Sequence, residues 1–245
     1  MIPSSLLPLI GSGLLAAAGG AAIYYATYGV RSQWLGSTDW HGRRDTNQVA
    51  LTFDDGPSRD TERILDILNE HNVTASFFMI GRHVENFPGI AQRVCVEGHE
   101  IGNHSYSHPI FLYQTPYRTR QELELAQAAI LGATGIRPIF ARPPCGVRTP
   151  AYFAATRSLG LHTVQWDVAG FDWKRRGAKE IAHEVLNRVR AGSIILLHDG
   201  DSEGRHNRSE TVAALPLIVE GLHEMGLQFA PLTKLLSQVM LSLRD

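Results

Sequence analysis

Beyond residue 47 the chain alternates between two patterns. Short β-rich runs, NQVALTF, TASFFMI, HEIGN, IRPIFAR, LHTVQW, GSIILLH and LQFAP, recur along it. Between them lie amphipathic stretches such as TERILDILNEHN, FPGIAQRVCVEG, TRQELELAQAAILGATG, PAYFAATRSLG, AKEIAHEVLNRV and TVAALPLIVEGLHEM. In the first of these, Ile64, Leu65 and Leu68, with Val73 beyond, keep roughly helical spacing, and charges occupy the other face. Seven β runs alternating with helices predict a mostly parallel sheet. Roughly 200 residues of βα units suit either a small incomplete β/α barrel or an open doubly wound sheet, which periodicity alone does not separate. No fixed-length repeat is present.

The first thirty residues follow another pattern. From Met1 to Val30 there is no Asp, Glu, Lys, Arg or His. A spanning helix needs about 20 apolar residues, so residues 1–30 read as a membrane anchor, with a cleaved signal segment or a buried N-terminal helix as alternatives. Tyr24, Tyr25, Tyr28 and Trp34 suit an interfacial belt at its far end. Residues 31–47 are polar and turn-rich and read as a linker, leaving one domain over residues 48–245.

Polar exceptions gather where the β runs end. The first run ends in Asp54-Asp55, before Gly56-Pro57; the third is followed by NHSYSH, with His104 and His108. The fourth ends in Arg142, the fifth in Trp166-Asp167 and the sixth in His198-Asp199. In both candidate architectures ligands bind beyond the carboxyl ends of parallel strands, so five of the seven runs aim unusual residues at the face where chemistry belongs. Two histidines at i and i+4 share one face of a helical turn and can present two imidazoles to one cation. With one carboxylate they form a set that leaves positions open for water or substrate. The two neighbouring acids repel each other unless something positive sits there. One of them can ligate that cation while the other stays free as a base. A bland alternative has one of them capping the helix that starts near Ser58 or Asp60. Arg142, between apolar residues and two prolines, needs a carboxylate partner, and the first strand can supply it.

Composition narrows the partners. The net charge is −1, from 23 basic and 24 acidic residues, which gives no whole-protein field for nucleic acid. Two cysteines, Cys95 and Cys145, provide neither a disulfide framework nor a Cys-rich zinc module. Lys174, Arg175 and Arg176 read as a solvated loop whose position permits contact with an acidic polymer, and GDSEGRHNRSE, directly after His198, as a border of the substrate groove.

TFDDGP, HSYSH, RPPCG, the FDW region and LLHDG, in that order, resemble the five motifs of the polysaccharide deacetylases of carbohydrate esterase family four, the NodB homology domain. The resemblance covers roughly residues 48 to 232. It implies a distorted, incomplete parallel β/α barrel of about seven strands, here with an N-terminal hydrophobic helix. It also implies a hydrolase that removes acetyl groups from N-acetylated carbohydrate with one divalent metal ion, zinc being the expected one. Carried over, Asp55, His104 and His108 ligate the metal, Asp54 is the general base, His198 the general acid, and Arg142 orients Asp54. The substrate would lie against Pro143, Cys145, Trp173 and Leu197.

Two positions depart from the family pattern. Cys145 stands where an aromatic is usual, and Ala169 where an acid that tunes the catalytic histidine is often found. Asp167 or Asp172 is expected to replace that acid, with Asp167 preferred for lying nearer the strand end. The leading expectation is an N-deacetylase of N-acetylglucosamine-type glycan, in the cell envelope if residues 1–30 anchor the chain. A catalytically weakened glycan-binding protein and a hydrolase of another small amide or cyclic imide are the alternatives. An iron oxygenase built on the two-His-one-Asp set would leave Asp54 and His198 without a task.

Overall fold

The computed structural model describes residues 7 to 237, with side chains from residue 18 onward. After helix α1 (Leu7–Tyr28) the elements alternate as β1 (Gln48–Asp54), α2 (Arg59–Glu70), β2 (Ser76–Met79), α3 (Gly81–Asn86), α4 (Pro88–Val96), β3 (Glu100–Asn103) and α5 (Pro116–Thr134). There follow β4 (Phe140–Ala141), α6 (Pro150–Ser158), β5 (His162–Thr163), β6 (Val168–Ala169), α7 (Ala178–Leu186), β7 (Ile194–His198), α8 (Ser209–Glu224), β8 (Gln228–Phe229) and α9 (Leu232–Leu235). All pairings between these strands are parallel, in the order β5-β4-β3-β2-β1-β7-β6, with β8 added beside the start of β1. The expected alternation therefore holds, with β6 as an additional two-residue strand.

The sheet is an incomplete barrel, and chain length shows why it curls. Its two edges, β5 and β6, are separated by residues 164–167 alone. An extended chain spans about 3.5 Å per residue, so the edges lie within roughly 18 Å of each other. Residues 39–44 strap across that gap. Asp39 exchanges main-chain hydrogen bonds with Thr163 and Gln165, Gly42 N–H donates to Gly192, and Arg44 donates to the Ala191 carbonyl. Part of the stretch expected as a linker is thus packed onto the sheet, where it also covers exposed strand edges.

Strand parity divides the interior. On β1, Val49, Leu51 and Phe53 face the helices and join Ile64, Leu68, Ile195, Leu197, Ile218 and Leu222 in the main core. Ala50 points the other way, into the curl, with Phe78, Phe140, Val164 and Ile194, closed below by Leu232, Leu235 and Leu236. Thr52 and Asp54 continue this inner row upward, as Leu196 and His198 do on β7. Apolar side chains fill the curl from below, and polar ones finish it above.

Among the described residues no helix is long and apolar enough to cross a membrane; residues 1–17 of the expected anchor lie outside the residues described with side chains. The end of α1 is tied to the domain. Ala26 and Thr27 are buried, and the fully buried Arg148 donates to the carbonyls of Gly29 at 2.5 Å and Val30 at 3.2 Å. Its own N–H donates to the Thr27 carbonyl at 3.1 Å. A cation at a helix carboxyl end also meets the favourable end of the dipole.

Candidate active site

At the upper end of the curl, Asp54 and His198 are paired in register as the last residues of β1 and β7. Asp55 follows with φ 75°, a left-handed turn that swings its carboxylate onto the same side as Asp54 instead of the opposite face. The capping alternative does not hold for either acid. Ser58 caps α2, accepting from Asp60 N–H at 3.0 Å while Thr61 Oγ1 accepts from Ser58 N–H at 2.8 Å. Both carboxylates remain available. The chain after them packs tightly on the loop after β7, where a Cβ at Gly56 would overlap the Asp199 carboxyl and one at Gly200 the Asp55 carbonyl. Asp199 in turn accepts from Thr61 Oγ1 at 2.6 Å, and burial pushes its pKa up to about 7.

The HSYSH segment is not a helical turn, as the i, i+4 spacing suggested, but a loop in which Ser105 and His108 have φ of 65° and 59°. Its bends are fastened by neighbours. Asn103 Oδ1 accepts from Ser105 N–H, Ser105 Oγ accepts from His108 N–H, and the buried Glu122 of α5 takes both Tyr106 and Ser107 N–H groups and the Ser107 hydroxyl. The result brings His104 Nε2 to 3.4 Å and His108 Nε2 to 3.2 Å from Asp55 Oδ1.

That arrangement fits a cation. The three potential ligand atoms lie within 4.8 Å of one another, and Asp55 Oδ1 is buried with no hydrogen-bond partner. His104 donates Nδ1–H to the Arg142 carbonyl at 2.8 Å, which fixes the tautomer and leaves the Nε2 lone pair facing Asp55. Burial pushes His108 down to about 4, against the opposing Asp55 charge, so its imidazole is neutral and able to ligate. Burial would raise Asp55, but the surrounding imidazoles override it and hold the carboxyl well below its ordinary range. His83 supports the same residue from behind, Nδ1 lying 2.8 Å from the Asp55 carbonyl.

Asp54 is held by Arg142, as expected. The guanidinium is fully buried and donates from Nη1 to Asp54 Oδ1 at 2.7 Å and to Thr52 Oγ1 at 2.9 Å. Its remaining donors go to the carbonyls of Val164 and Gln165, and its plane lies 4.1 Å from the Phe78 ring centroid. Asp54 Oδ2 stays on the cavity side, 3.7 Å from His104 Nε2.

The acid beside His198 is Asp172, not Asp167. Asp172 Oδ1 lies 2.9 Å from His198 Nδ1, and its Oδ2 accepts from His198 N–H and the Thr211 hydroxyl. Burial lowers His198, but the Asp172 charge and hydrogen bond prevail and push it up to about 9. Asp167 sits at the opposite end of the sheet, accepting from Arg44, Ser193 Oγ and Ile194 N–H. The chain climbs from Asp167 along β6, parallel to β7, and bends at Phe171, a left-handed residue with φ 54°, so that Asp172 lies at the top.

Asp54, Asp55, His104, His108 and His198 line one cavity of 360 Å³ with Cys145, Gly146, Trp166, Trp173 and Leu196. Cys145 is exposed, and Trp173 packs edge-on against His198. Leu197 is a correction. It faces the helices in the main core, and its neighbour Leu196 borders the cavity, because side chains alternate along β7. Pro143 is buried and does not line the cavity. Although its residue is exposed, partial desolvation against the cavity wall, with Asp55 and Asp54 nearby, raises the Cys145 thiol, the opposite of an activated nucleophile. Glu122 and His83 carried no short-range signal; each acts on a partner many residues away.

Residues 41–164 match the polysaccharide deacetylase family. The chain is 38% identical over 199 residues to a chitooligosaccharide deacetylase of Bradyrhizobium sp. (strain ANU 289), covering 78% of this chain and 91% of the relative. It is similar in structure to the Bc1960 peptidoglycan N-acetylglucosamine deacetylase, with TM-score 0.76 and 35% identity over 81% of this chain and 92% of that one. The CE4 family pseudoenzyme BA3943 of Bacillus anthracis is also similar, with TM-score 0.74 and 28% identity over 82% and 69% of the two chains.

Proposed function

The chain belongs to the polysaccharide deacetylase family, and from that premise we propose that it is a metal-dependent hydrolase that removes the acetyl group from N-acetylglucosamine units of a glycan. One observation carries the reading: a carboxylate fixed by Arg142, three residues able to hold a cation and an imidazole paired with Asp172 open onto a single cavity. The peptidoglycan named for one relative supports a substrate in the cell envelope.

A divalent cation held by Asp55, His104 and His108, with zinc the best match to two imidazoles and one carboxylate, would polarise the acetyl carbonyl and acidify the attacking water. Asp54 accepts the water's proton through Oδ2, the oxygen that Arg142 leaves free. His198 carries its proton on Nε2 at neutral pH and passes it to the departing amine nitrogen, while Asp172 holds Nδ1 and the ring orientation. In the loop at Cys145, the N–H groups of Gly146 and Val147 are bound to Pro143 and Pro144, so the Cys145 N–H is the donor assigned to the developing oxyanion. Leu196 and Trp173 receive the acetyl methyl.

The Ala169 departure motivated the alternative of a glycan-binding protein with weakened catalysis. Asp172 removes that motive, because it reaches His198 from another position. Acetate release from an N-acetylglucosamine pentamer tests the reading. The metal-loaded protein is expected to release acetate and expose an equal amount of free amine, and chelation is expected to stop it. No release from any N-acetylated glycan by metal-loaded protein would overturn it.

A further inference from the structure

The catalytic cavity continues sideways. Trp173, Asp201 and Arg208 also line an adjoining concavity of 380 Å³, whose walls carry Arg175, Arg176 and Arg205. Across the loop that follows His198, Asp201 and Arg205 border another concavity together with Arg59 and Arg82. Much of this charge is already matched. Arg176 pairs with Glu184 and Arg205 with Glu203, and Arg208 donates to the Gly200 carbonyl and lies 3.9 Å from Asp201. Among the acids, Asp172 is matched by His198 and Asp60 pairs with Arg63, whereas Glu210 accepts the Ala178 N–H and keeps its charge.

Three cations remain against that one acid. Arg59 and Arg175 are exposed and make no ion pair among the described residues, and Arg82 donates to the Ser202 carbonyl with no carboxylate in ion-pair reach. They flank, on both sides, the one loop that begins at His198. A cleft with a surplus of one sign concentrates ligands of the other, and a guanidinium fork matches a carboxylate in shape as well as charge.

We propose that these arginines form a subsite for a carboxylate carried by the glycan beside the acetylated sugar, so that the protein favours a carboxylate-bearing glycan over a neutral N-acetylglucosamine oligomer. The proposal rests on the deacetylase reading for its choice of ligand. Of the glycans named for the relatives, chitooligosaccharide is uncharged and peptidoglycan bears carboxylates. The subsite aligns this chain with the second.

The test uses a tetrasaccharide of alternating N-acetylglucosamine and its lactyl ether, as the free carboxylate and as the neutral amide of the same shape. Wild-type kcat/KM is expected to favour the carboxylate form about tenfold at low salt, through KM, and the ratio to fall toward one near 0.5 M salt, as exposed charges are screened. The double variant Arg59→Glu, Arg175→Glu is expected to lower that ratio about tenfold or more. A wild-type ratio near one, or a ratio unmoved in the double variant, would overturn the subsite. Calorimetry of both ligands on Asp54→Asn separates this from the reaction. Tighter binding of the carboxylate form without wild-type acetate release would keep the subsite and overturn the deacetylase reading. Acetate release with equal affinities would do the reverse.

Discussion

Two arginine–aspartate pairs, each 2.7 Å long, sit at opposite ends of the same sheet. At the lower end, Arg44 meets Asp167, and Asp167 spends both oxygens: Oδ2 on Arg44 and the Ser193 hydroxyl, Oδ1 on the Ile194 N–H. At the upper end, Arg142 meets Asp54 through Oδ1, and Oδ2 is left toward the cavity. Both acids are deeply buried, but only the lower arginine reaches solvent. A saturated carboxylate gives structure. A half-saturated one, held by a fully buried cation, keeps a lone pair in place for a proton.

The sharpest way to break this comparison is to make both acids amides. Asp54→Asn removes the acceptor and is expected to lower kcat about 10³-fold, within the range for general-base loss, while Asp167→Asn leaves the rate per folded molecule within about twofold. Steady-state acetate release from the two variants checks it. Removing the upper cation comes next. Arg142→Met strands a buried carboxylate and is expected to cost about 3 kcal/mol of unfolding free energy in a denaturant titration, in addition to lost activity.

His198 extends the comparison to pH. Its proton is held up to about 9, so the rate is expected to fall as pH rises through that value. Asp172→Asn should lower kcat about 10- to 100-fold and move that upper limb toward the ordinary value near 6.5, whereas Asp167→Asn leaves it in place. Because the folded pKa is raised, the His198 contact stabilises the fold fully below about 6.5, and that contribution is lost as pH rises through about 9. A pH–rate profile and a pH series of unfolding midpoints read the two effects. The smallest effect belongs to Arg44→Met. Its pair is partly exposed and is expected to contribute about 1 kcal/mol, visible as a small shift of the denaturant midpoint with activity unchanged.

Much of the site was legible because it lies at the ends of strands with strong apolar patterns. Asp54, Asp55, Arg142 and His198 each terminate such a run, and parallel sheets bring those ends together. What escaped depended on backbone turns. Asp172 outranks Asp167 because a two-residue strand, β6, carries the chain from the lower to the upper end of the sheet between them, a signal too short for any period. The choice of Leu197 over Leu196 missed a parity that the sequence carries, since His198 already fixed which face of β7 looks inward. The HSYSH loop misled in the other direction. The i, i+4 spacing brought the correct histidines forward for a helical reason, although Ser105, His108 and the distant Glu122 set their geometry. The anchor reading rests on residues 1–30, of which only the end is described with side chains, and there the Arg148 contacts at Gly29 and Val30 tie the segment to the domain.

The central claim is a division of labour between adjacent carboxylates, and metal content measured beside acetate release on the same samples tests it. Asp54→Asn is expected to retain about one equivalent of cation per chain and lose turnover, while Asp55→Asn loses both. An Asp54→Asn protein that still turns over, or an Asp55→Asn protein that still holds its metal, would contradict the account.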